Sequence, residues 1–453
     1  MSKRYRFDIF EGDELQLFYP REMQLKQEIK RVAFGASVTE AAIRRHPNGR
    51  NVIAISSALA EKLLVPEFIH SLYLFEEDDV LHAGPLVGIF TSGFTPFQMM
   101  PAGARSASFA RLLSVQSSVG AVPFLFGEQH IDWEQGVIHG FFHHHKGWVK
   151  KAVPFPNVIY DRLPNRQAER EPAAKKVKET LEKDYLIPWY NPGFFNKLDV
   201  YEKLCSDGRA ESYLPETLPF LSFSDMERML EEYGHIYLKH PDGSRGNGIR
   251  QILLDAKNRD YYCRYFDGKT KLLKFSSLES LLKHVYTGKQ LESAVVQQGI
   301  HLIRKDKKPV DFRLHAHKDE NGKWVVAAIA AKAAGIGSPT THEGNGGKVY
   351  TMEEMFSDED ERREISRKLE QTAIELASAI EDNIGGIIGE IGFDLGLDKQ
   401  GKVWMFEANS KPGRGIFTHP GLRESDLLTR RLALSFAVHL TEKTIREPHL
   451  LFR

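Results

Sequence analysis

Apolar and polar residues alternate over many short stretches of this chain, which is the pattern of half-buried β-strands. Within the first 82 residues, such stretches occur at 51–56 and 71–75, and a short helix is predicted between them at 58–64. Turns separate the stretches throughout this part of the chain. We therefore predict a small β-rich N-terminal domain over residues 1–82.

The pattern changes near residue 84. An apolar strand predicted at 84–91 is followed by a helix that contains 108–119 and by a second buried strand at 121–126. Strand, helix and strand in alternation are typical of a parallel sheet. We predict an α/β domain over residues 83–175, and a polar, partly helical linker at 165–183.

Residues 176–453 alternate helices with strands and contain every motif that suggests chemistry. We expect two lobes here, one over about 190–300 and one over about 301–445. An acidic segment at 357–363 predicts the start of a long helix, which ends near 383–385 and packs against a sheet. No repeat with a fixed period of about 20–50 residues is present.

Composition excludes several classes of protein. The 453 residues are 42% hydrophobic and 27% charged, and 61 basic residues balance 61 acidic ones, so no net charge favours nucleic acid or an anionic membrane. Cys205 and Cys263 fit a reducing compartment and exclude a disulfide scaffold and a cysteine-based zinc site. We find no secretory signal and no apolar run long enough for a membrane span, so we expect a cytoplasmic protein as synthesised. The oligomeric state is left open.

The most informative motif lies at 387–413, where two strands are predicted around a turn at 398–402. If Asp398 pairs with Val403, Asp394 lies opposite Glu407, with β-carbons about 5 Å apart, and Asn409 shares the face of Glu407. Nothing cationic is expected beside them on these strands. Two such carboxylates repel each other unless a cation holds them, and Mg²⁺ prefers oxygen ligands of this kind. The alternative is an ordinary hairpin with an acidic solvent face.

A lysine and a glycine-rich loop suggest a phosphate site. Lys239 lies near the end of a strand predicted at 235–240, and the glycine-rich loop that follows leads into a strand at 249–254. Glycine lets backbone N–H groups approach a phosphate closely, and lysine adds a point charge. The spacing is neither that of a Walker loop nor that of a Rossmann fingerprint. A plain turn is the alternative.

Two further strands are candidates for the walls of the same site. The segment 294–300 is either a plain core strand or a hinge whose backbone meets an adenine edge. The segment 310–317 alternates, so one face carries Asp311, Arg313, His315 and His317, and its partner strand at 324–332 ends with Lys332. This polar face is either solvated or lines a cleft in which Arg313 and Lys332 meet a substrate or a γ-phosphate.

Taken in order, these motifs resemble the ATP-grasp superfamily, and within it the YheC/YheD-like, endospore coat-associated branch. The stretches that carry the closer resemblance are 158–166, 213–217, 239–249, 311–313 and 390–413, and the resemblance covers about 84–440. It implies a mixed α+β and α/β protein with an ATP-grasp fold, in which two α+β lobes clasp ATP. A small α/β pre-ATP-grasp domain and the β-rich domain precede these lobes.

The resemblance also implies the roles of individual residues. The implied catalytic residues are Arg313, which steadies an acyl-phosphate, Lys332, at a position where related ligases often carry arginine, and Asn345, in a substrate-side Asn-Gly-Gly loop. The implied nucleotide-binding residues are Lys197, Lys239, the phosphate lid with Gly243, Ser244, Gly246 and Gly248, and the hinge with Gln297, Gln298 and Ile300. The hinge departs from the common pattern, which has a glutamate, but a glutamine can still accept a hydrogen bond from the adenine amino group. The implied metal ligands are Asp394, Glu407 and Asn409, with Glu407 bridging two Mg²⁺ ions, for which Mn²⁺ is an acceptable substitute.

The implied activity is that of an ADP-forming, ATP- and Mg²⁺-dependent ligase that joins a carboxylate to an amine through an acyl-phosphate. Its implied partners are a carboxylate substrate and an amine acceptor, either an amino acid, a peptide or a protein, with spore coat proteins among the candidates. Two alternatives stay open, a structural or assembly protein of the spore coat without turnover and a phosphotransferase. The lysine, arginine and carboxylate set argues against the first, whereas the sequence does not separate a ligase from a phosphotransferase.

Three successive histidines at 143–145 suggest a metal-binding tract. Successive residues of a strand point to opposite faces, so these three side chains cannot all reach one ion. We expect an exposed turn or a strand edge before Trp148 instead.

Overall fold

The computed structural model describes residues 4–239, 248–286, 291 and 293–450. Its first part is an eight-stranded sheet with the order β4-β3-β8-β7-β1-β6-β2-β5. The strands are β1 (Arg4–Phe10), β2 (Gln16–Tyr19), β3 (Arg31–Phe34), β4 (Ser37–Glu40), β5 (Ala42–Arg45), β6 (Val52–Ser56), β7 (Ser71–Glu77) and β8 (Val80–Gly84), with one helix, α1 (Ser57–Lys62). Only Ala41 separates the two edge strands, so the sheet curls until its edges meet. The expected β-rich part is present, and its last strand continues past residue 82.

The second part is a mainly parallel α/β sheet. The parallel strands β9 (Leu86–Phe90), β10 (Val122–Phe126), β14 (Val158–Asp161) and β15 (Trp189–Tyr190) lie in the order β10-β9-β14-β15, and β11 (Ile131–Asp132), β12 (Val137–His144) and β13 (Gly147–Pro154) extend one edge. The helices are α2 (Ser106–Leu113), α3 (Gln116–Val119), α4 (Arg166–Arg170) and α5 (Pro172–Lys183). The single helix expected over 108–119 is therefore divided in two.

Helices cover both faces of this parallel sheet. Phe109 of α2 packs on one face, whereas Val177 and Leu181 of α5 pack on the other. The segment 165–183, which we expected to be a linker, therefore belongs to the α/β unit. The boundary expected at residue 175 falls inside α5, so we propose that this unit ends near residue 190, after β15.

The third part is an antiparallel sheet with the order β16-β21-β17-β18-β19-β20. Its strands are β16 (Thr217–Pro219), β17 (His235–Lys239), β18 (Arg250–Asp255), β19 (Asp260–Asp267), β20 (Lys269–Phe275) and β21 (Val295–Gln298), and α6 (Lys197–Cys205), α7 (Phe223–Tyr233) and α8 (Leu278–Val285) accompany them. Side chains alternate along β17, so Ile236 and Leu238 pack in the core with α7 and α8. Tyr237 and Lys239 are thereby left on the opposite face.

The fourth part is a sheet with the order β25-β24-β23-β26-β27, to which β22 adds at β23. The strands are β22 (Arg304–Lys305), β23 (Lys308–Lys318), β24 (Trp324–Ala333), β25 (Lys348–Tyr350), β26 (Glu390–Leu397) and β27 (Val403–Asn409), and the helices are α9 (Met352–Met355), α10 (Glu359–Asn383) and α11 (Arg423–Arg446).

The long helix α10 forms as expected. The Asp358 side chain caps its first turn, and Leu369, Leu376 and Ile380 face the core formed with the fourth sheet. Helix α11 packs against β23 and β24 of the fourth sheet, and its residues Leu434 and Phe436 pack against the α/β unit, which joins the two parts. None of the helices in the described ranges is both long and apolar enough to cross a membrane.

Candidate active site

A cleft of about 430 Å³ lies between the third and fourth sheets. Strands β17 and β21 supply one wall, and strands β23, β24, β26 and β27 supply the other. Expected site residues that line it are Lys239, Gln297, Gln298, Ile300, Arg313, Lys332, Asp394, Glu407 and Asn409. The fold therefore brings together residues that lie up to 170 positions apart in the chain, from Lys239 to Asn409.

Asp394 and Glu407 face each other as expected, but through a different register. Leu397, not Asp398, pairs with Val403, which would by itself shift the strands by one residue. A β-bulge follows Asp394 and restores the pairing of Asp394 with Glu407. Because of the bulge, consecutive residues at 406 and 407 both line the cleft.

The two carboxylates are not isolated from positive charge, which corrects the expectation from the sequence. Lys332 Nζ lies 2.7 Å from Asp394 Oδ1, and Arg313 Nη2 lies 3.0 Å from Asp394 Oδ2. Lys197 Nζ lies 3.3 Å from Glu407 Oε1. These cations come from the neighbouring strands β23 and β24 and from the first turn of α6. The carboxylates are thus held by ion pairs within the protein itself.

Burial and charge act in opposite directions on these groups. Burial raises the pKa of Asp394, but Arg313 and Lys332 outweigh it and hold that pKa below its usual value. Burial raises the pKa of Asp311 in spite of Lys332, whose Nζ lies 3.2 Å from Asp311 Oδ1. Although burial disfavours the Lys332 ammonium, Asp311 and Asp394 raise its pKa. Asp394 is therefore ionised, as a metal ligand must be.

Lys239 faces the cleft from β17 and donates a hydrogen bond to the side-chain oxygen of Gln297. Burial lowers the pKa of Lys239 to about 8, against the attraction of Glu407. The Gln297 amide also donates to Thr217 Oγ1 over 3.0 Å. Because the surroundings of Lys239 do little to stabilise its ammonium, an anion that enters the cleft beside it would be bound favourably.

The hinge at residues 297–300 differs from the expectation in which of its groups can contact the adenine base. Gln298 Oε1 accepts a hydrogen bond from the backbone N–H of Glu216 over 3.0 Å, so with Gln297 engaged as well, both glutamine side-chain oxygens already have donors. A Cβ on Gly299 would lie 2.2 Å from the ring of His235 and 2.4 Å from its backbone oxygen. The hinge backbone is therefore held closely against β17, and Ile300 beyond it lines the cleft.

Asn345 lies outside the cleft lining and is buried beneath its loop. Its side-chain N–H donates to Thr340 Oγ1 over 2.8 Å, and Thr340 and Thr341 line the cleft in its place. Thr341 Oγ1 in turn donates to Asp311 Oδ2 over 2.5 Å. A Cβ on Gly347 would lie 2.1 Å from the Thr341 backbone oxygen, which explains the glycine. Asn345 thus holds the loop that presents Thr340 and Thr341 to the cleft.

The expected phosphate lid falls mostly outside the described residues, which leave out Gly243, Ser244 and Gly246. Gly248 is described, and its φ of 75° lies in the left-handed region that favours glycine. It lines a second cavity, of about 480 Å³, together with Arg250 and Tyr265.

The segment 158–166 had no role in the sequence-based expectations, and the structure shows that it fastens the α/β unit to β26. Tyr160 donates a hydrogen bond over 2.6 Å to Glu390 Oε1, and Arg162 forms an ion pair with the same oxygen. Lys411, which lines the cleft, lies 2.6 Å from Asp161 Oδ1. The available signal was a cluster of charged residues directly after a buried strand, where functional loops often begin.

The three histidines behave as expected of a strand edge and turn. His143 packs edge-on against Trp148 with 5.1 Å between ring centroids, and His144 stacks on Phe68 at 4.9 Å. Within the described part of the chain, no group of three or more His, Cys, Asp or Glu side chains is arranged to hold a metal ion.

We expect the combined substitution His143→Ala, His144→Ala and His145→Ala to leave activity and metal content unchanged. His143 packs on Trp148 and His144 on Phe68, so these two rings are engaged with different neighbours. Elemental analysis of the purified protein beside an activity assay measures this. Loss of a stoichiometric metal from the triple variant would show that the tract is a binding site after all.

Two α+β lobes around a cleft with opposed carboxylates, lysines and an arginine define the class of ATP-grasp proteins. The family described as YheC/D like ATP-grasp matches residues 186–440. Over 457 residues, the chain is 39% identical to the endospore coat-associated protein YheD of Bacillus subtilis (strain 168), covering 99% of each chain. It is 25% identical over 271 residues to the endospore coat-associated protein YheC of the same organism, covering 59% of this chain and 73% of that one. The chain belongs to the YheC/D-like ATP-grasp family.

Solved structures of similar fold include the D-alanine–D-alanine ligase of Bacillus anthracis. The match has a TM-score of 0.44 at 12% identity and covers 79% of this chain and 99% of the ligase. A D-alanine–D-alanine ligase from Coxiella burnetii matches with a TM-score of 0.43 at 12% identity, covering 80% of this chain and 99% of that one.

Proposed function

We propose that this protein is an ATP- and Mg²⁺-dependent, ADP-forming ligase that joins a carboxylate to an amine through an acyl-phosphate. The observation that carries the proposal is the pairing of Asp394 with Glu407 on one face of a cleft that Lys239, Arg313 and Lys332 also line. The relative named above is described as endospore coat-associated. We therefore place the substrates among peptides or proteins of the spore coat.

Asp394, Glu407 and Asn409, which line the cleft, fit a magnesium site. Asp394 and Glu407 pair directly, and Asn409 pairs with Gly392 two residues further along the same strands. Two carboxylates and an amide oxygen on one face are the hard donors that Mg²⁺ takes beside water and phosphate oxygens. Glu407 would serve two ions, and Mn²⁺ would suit the same donors. Bound Mg²⁺ would neutralise charge on the transferred phosphoryl group.

Lys239 and Lys197 would hold the phosphates of ATP. Lys239 ends β17 beside the glycine-rich loop, and Lys197 lies in the first turn of α6 next to Glu407. Between them they bring two positive charges to the cleft. The hinge formed by residues 297–300 would lie against the base, with its backbone in contact because both glutamine side-chain oxygens are engaged.

Arg313 and Lys332 would stabilise the charge that develops on the acyl-phosphate. In the proposed reaction, a substrate carboxylate oxygen takes the γ-phosphoryl group and ADP leaves. The amine nitrogen then attacks the carbonyl carbon, phosphate departs with that oxygen, and the departing phosphate takes up the proton that the nitrogen loses. Such transfers need positioning and charge neutralisation more than acid–base groups. Arg313 and Lys332 already hold Asp394 between them, so the same charges orient a metal ligand.

A phosphotransferase would use the same nucleotide site, and its product distinguishes the two activities. The test is ADP release from the full chain with Mg²⁺–ATP, screened against pools of amino acids, peptides and coat-protein extracts. ADP with an amide product supports the ligase. ADP with a phosphorylated product supports the phosphotransferase, and no ADP release in any pool favours a structural role in the coat.

We expect Mg²⁺–ATP to raise the melting temperature of the protein. A ligand that binds only the native state adds RT ln(1 + [L]/Kd) to the free energy of unfolding, or about 1.4 kcal/mol at ten times its Kd. Differential scanning fluorimetry with and without millimolar Mg²⁺–ATP measures the shift. Sodium sulfate at matched ionic strength is the control, and an unchanged melt would count against the nucleotide site.

We expect the affinity for Mg²⁺–ATP to fall as pH rises through about 8, the pKa to which burial lowers the Lys239 ammonium. Above that pH the free protein must take up a proton to bind phosphate, so the Kd rises by up to about tenfold per pH unit. The contribution of Lys239 to the free energy of unfolding changes with pH in the opposite sense to the affinity. It rises with pH between the folded pKa and the higher unfolded one, because only the unfolded chain keeps the proton there.

Titration calorimetry at several values of pH measures this dependence. Lys239→Arg is the matched control, because a guanidinium stays charged over the whole range and should flatten the profile. A wild-type Kd that is independent of pH over this range would show that Lys239 does not meet the phosphates.

A further inference from the structure

We propose that the substrate carries an anionic group in addition to the carboxylate that is activated. Arg105, Arg162 and Arg414 would hold this second group at the boundary where the α/β unit faces β23 and β26, which we call the arginine crevice. The inference rests on the proposed ligase function and narrows its substrate to an acidic class, such as a dicarboxylate or an acidic peptide.

One wall of the crevice is the switch point of the parallel sheet. Strand β9 pairs in parallel with β10 on one side and with β14 on the other, and ligands of such sheets bind beyond the carboxyl ends of the strands at this point. Thr91 follows β9, and Arg162 follows β14. Thr91 Oγ1 donates to the Arg162 backbone oxygen over 2.9 Å, and Arg105 Nη1 donates to Thr91 Oγ1 over 2.7 Å. Two arginines thus converge where a ligand is expected.

The other wall brings Arg313 from β23 and Arg414 from the segment after β27. Arg313 and His315 share one face of β23, and the Phe417 ring lies 4.9 Å from the His315 ring and 4.9 Å from the Arg414 guanidinium. Arg162 pairs with Glu390, whose Oε2 lies 3.8 Å from Nε2 of His317 on that face. The Arg313, Arg414 and Arg162 guanidinium groups therefore lie around these two histidines. Their side chains remain 18%, 20% and 19% exposed respectively. They therefore border solvent and can be reached by a ligand.

Polar atoms at this point lack partners within the described chain. His315 and His317 are fully buried on the same face of β23 as Arg313, and no ring nitrogen of either has a hydrogen-bond partner. Arg313 Nη1 and Arg414 Nε are buried without a partner as well. Buried polar groups are normally satisfied, so a cluster of exceptions beside guanidinium groups indicates a place for a ligand.

Positive charge exceeds negative charge in the crevice. Arg105 has only neutral acceptors, Thr91 Oγ1 and the Ser92 backbone oxygen, among its described hydrogen bonds. Arg414 and Arg430 share one carboxylate, Asp426, at 2.6 Å and 2.7 Å.

The remaining ion pairs do not remove this excess. Arg162 is paired with Glu390. The adjacent Lys411 pairs with two carboxylates, Asp161 and Glu169, which adds one net negative charge. The total charge of these groups is still positive. A partly exposed site with excess guanidinium charge favours an anion, most of all a carboxylate or phosphate bound in bidentate fashion.

The test compares two probes of equal length, glutarate and its monoamide glutaramate, by titration calorimetry on the full chain with Mg²⁺–ADP. Wild type should bind glutarate at least about tenfold more tightly, the scale of one charge-assisted hydrogen bond. Arg105→Gln and Arg414→Gln should each reduce the ratio to about threefold or less. Arg105→Lys keeps the charge and should preserve most of the preference, and melting curves establish that each variant is folded.

Arg111→Gln is the matched control, because Arg111 is exposed on α2 and its loss removes one charge from the same part of the molecule. Equal affinity for the two probes, binding of neither at millimolar concentration, or a preference that survives in Arg105→Gln and Arg414→Gln would overturn the proposal. The measurement needs no turnover. If the wild type preferred the diacid but released no ADP, the proposed ligase activity would therefore be refuted, and the proposed binding site for an anionic group would still be supported.

Discussion

Glu407→Gln should lower Mg²⁺-dependent ADP release by at least about a hundredfold, the effect of removing one preorganised electrostatic contact. Glutamine keeps the size and hydrogen-bonding capacity of the side chain but loses the charge that would serve two Mg²⁺ ions. Asp394 alone cannot replace the lost charge, because the charges of Lys332 and Arg313 already offset its own. Steady-state rates over a range of Mg²⁺ concentrations measure the loss and show whether excess metal rescues it.

The fold should survive this change. Glu407 and Lys197 form a pair 3.3 Å apart whose side chains are 30% and 32% exposed, and such pairs contribute about 1 kcal/mol or less. A melting temperature close to that of wild type therefore separates a catalytic loss from an unfolded protein. Glu359→Gln is the control, because it makes the same change from glutamate to glutamine at an exposed residue at the start of α10.

Lys239→Ala should act differently and weaken ATP binding first, since it removes a phosphate contact and no metal ligand. Normal turnover by Glu407→Gln, together with a collapse in a Glu390→Gln variant that melting curves show to be folded at the assay temperature, would place the metal at the neighbouring acid. If neither substitution changed ADP release, a structural role in the spore coat would become the better interpretation.

Strand periodicity predicted which side chains share a face, because a strand repeats every two residues whatever lies around it. It placed Lys239 on the cleft side of β17 and Arg313 on the cleft side of β23. Periodicity cannot show a β-bulge, which depends on the partner strand. The expected pairing of Asp398 with Val403 was wrong by one residue, and the bulge after Asp394 is why the two carboxylates nevertheless face each other.

The local sequence pattern could not predict contacts between distant parts of the chain. The sequence suggested carboxylates without cations beside them, because Lys197, Arg313 and Lys332 lie on elements whose positions depend on the tertiary fold. Helix α5 was expected to be part of a linker because its many charged residues outweigh a short apolar stripe, Ala174, Val177 and Leu181, that packs on the parallel sheet. The role of Tyr160 and Arg162 likewise depends on Glu390, which lies more than 220 residues away.

Glu390→Gln should lower the free energy of unfolding by about 3 kcal/mol, because removing one partner of a buried ion pair leaves the other charge uncompensated. Glu390 is 2% exposed, and its carboxylate binds both Arg162 and Tyr160, which belong to a different part of the molecule. Glutamine can still accept a hydrogen bond from Tyr160 but cannot neutralise Arg162. Chemical denaturation followed by circular dichroism measures the change.

Glu359→Gln is the matched control, because Glu359 also pairs with a cation, Arg363, but both side chains are more than half exposed. It should cost about 1 kcal/mol or less. The double variant Arg162→Gln with Glu390→Gln should recover part of the loss, since it removes both members of the buried pair. If Glu390→Gln cost no more than Glu359→Gln, the charge of Arg162 would have to be balanced by another group. The excess of positive charge in the arginine crevice would then be smaller than the ion pairs indicate.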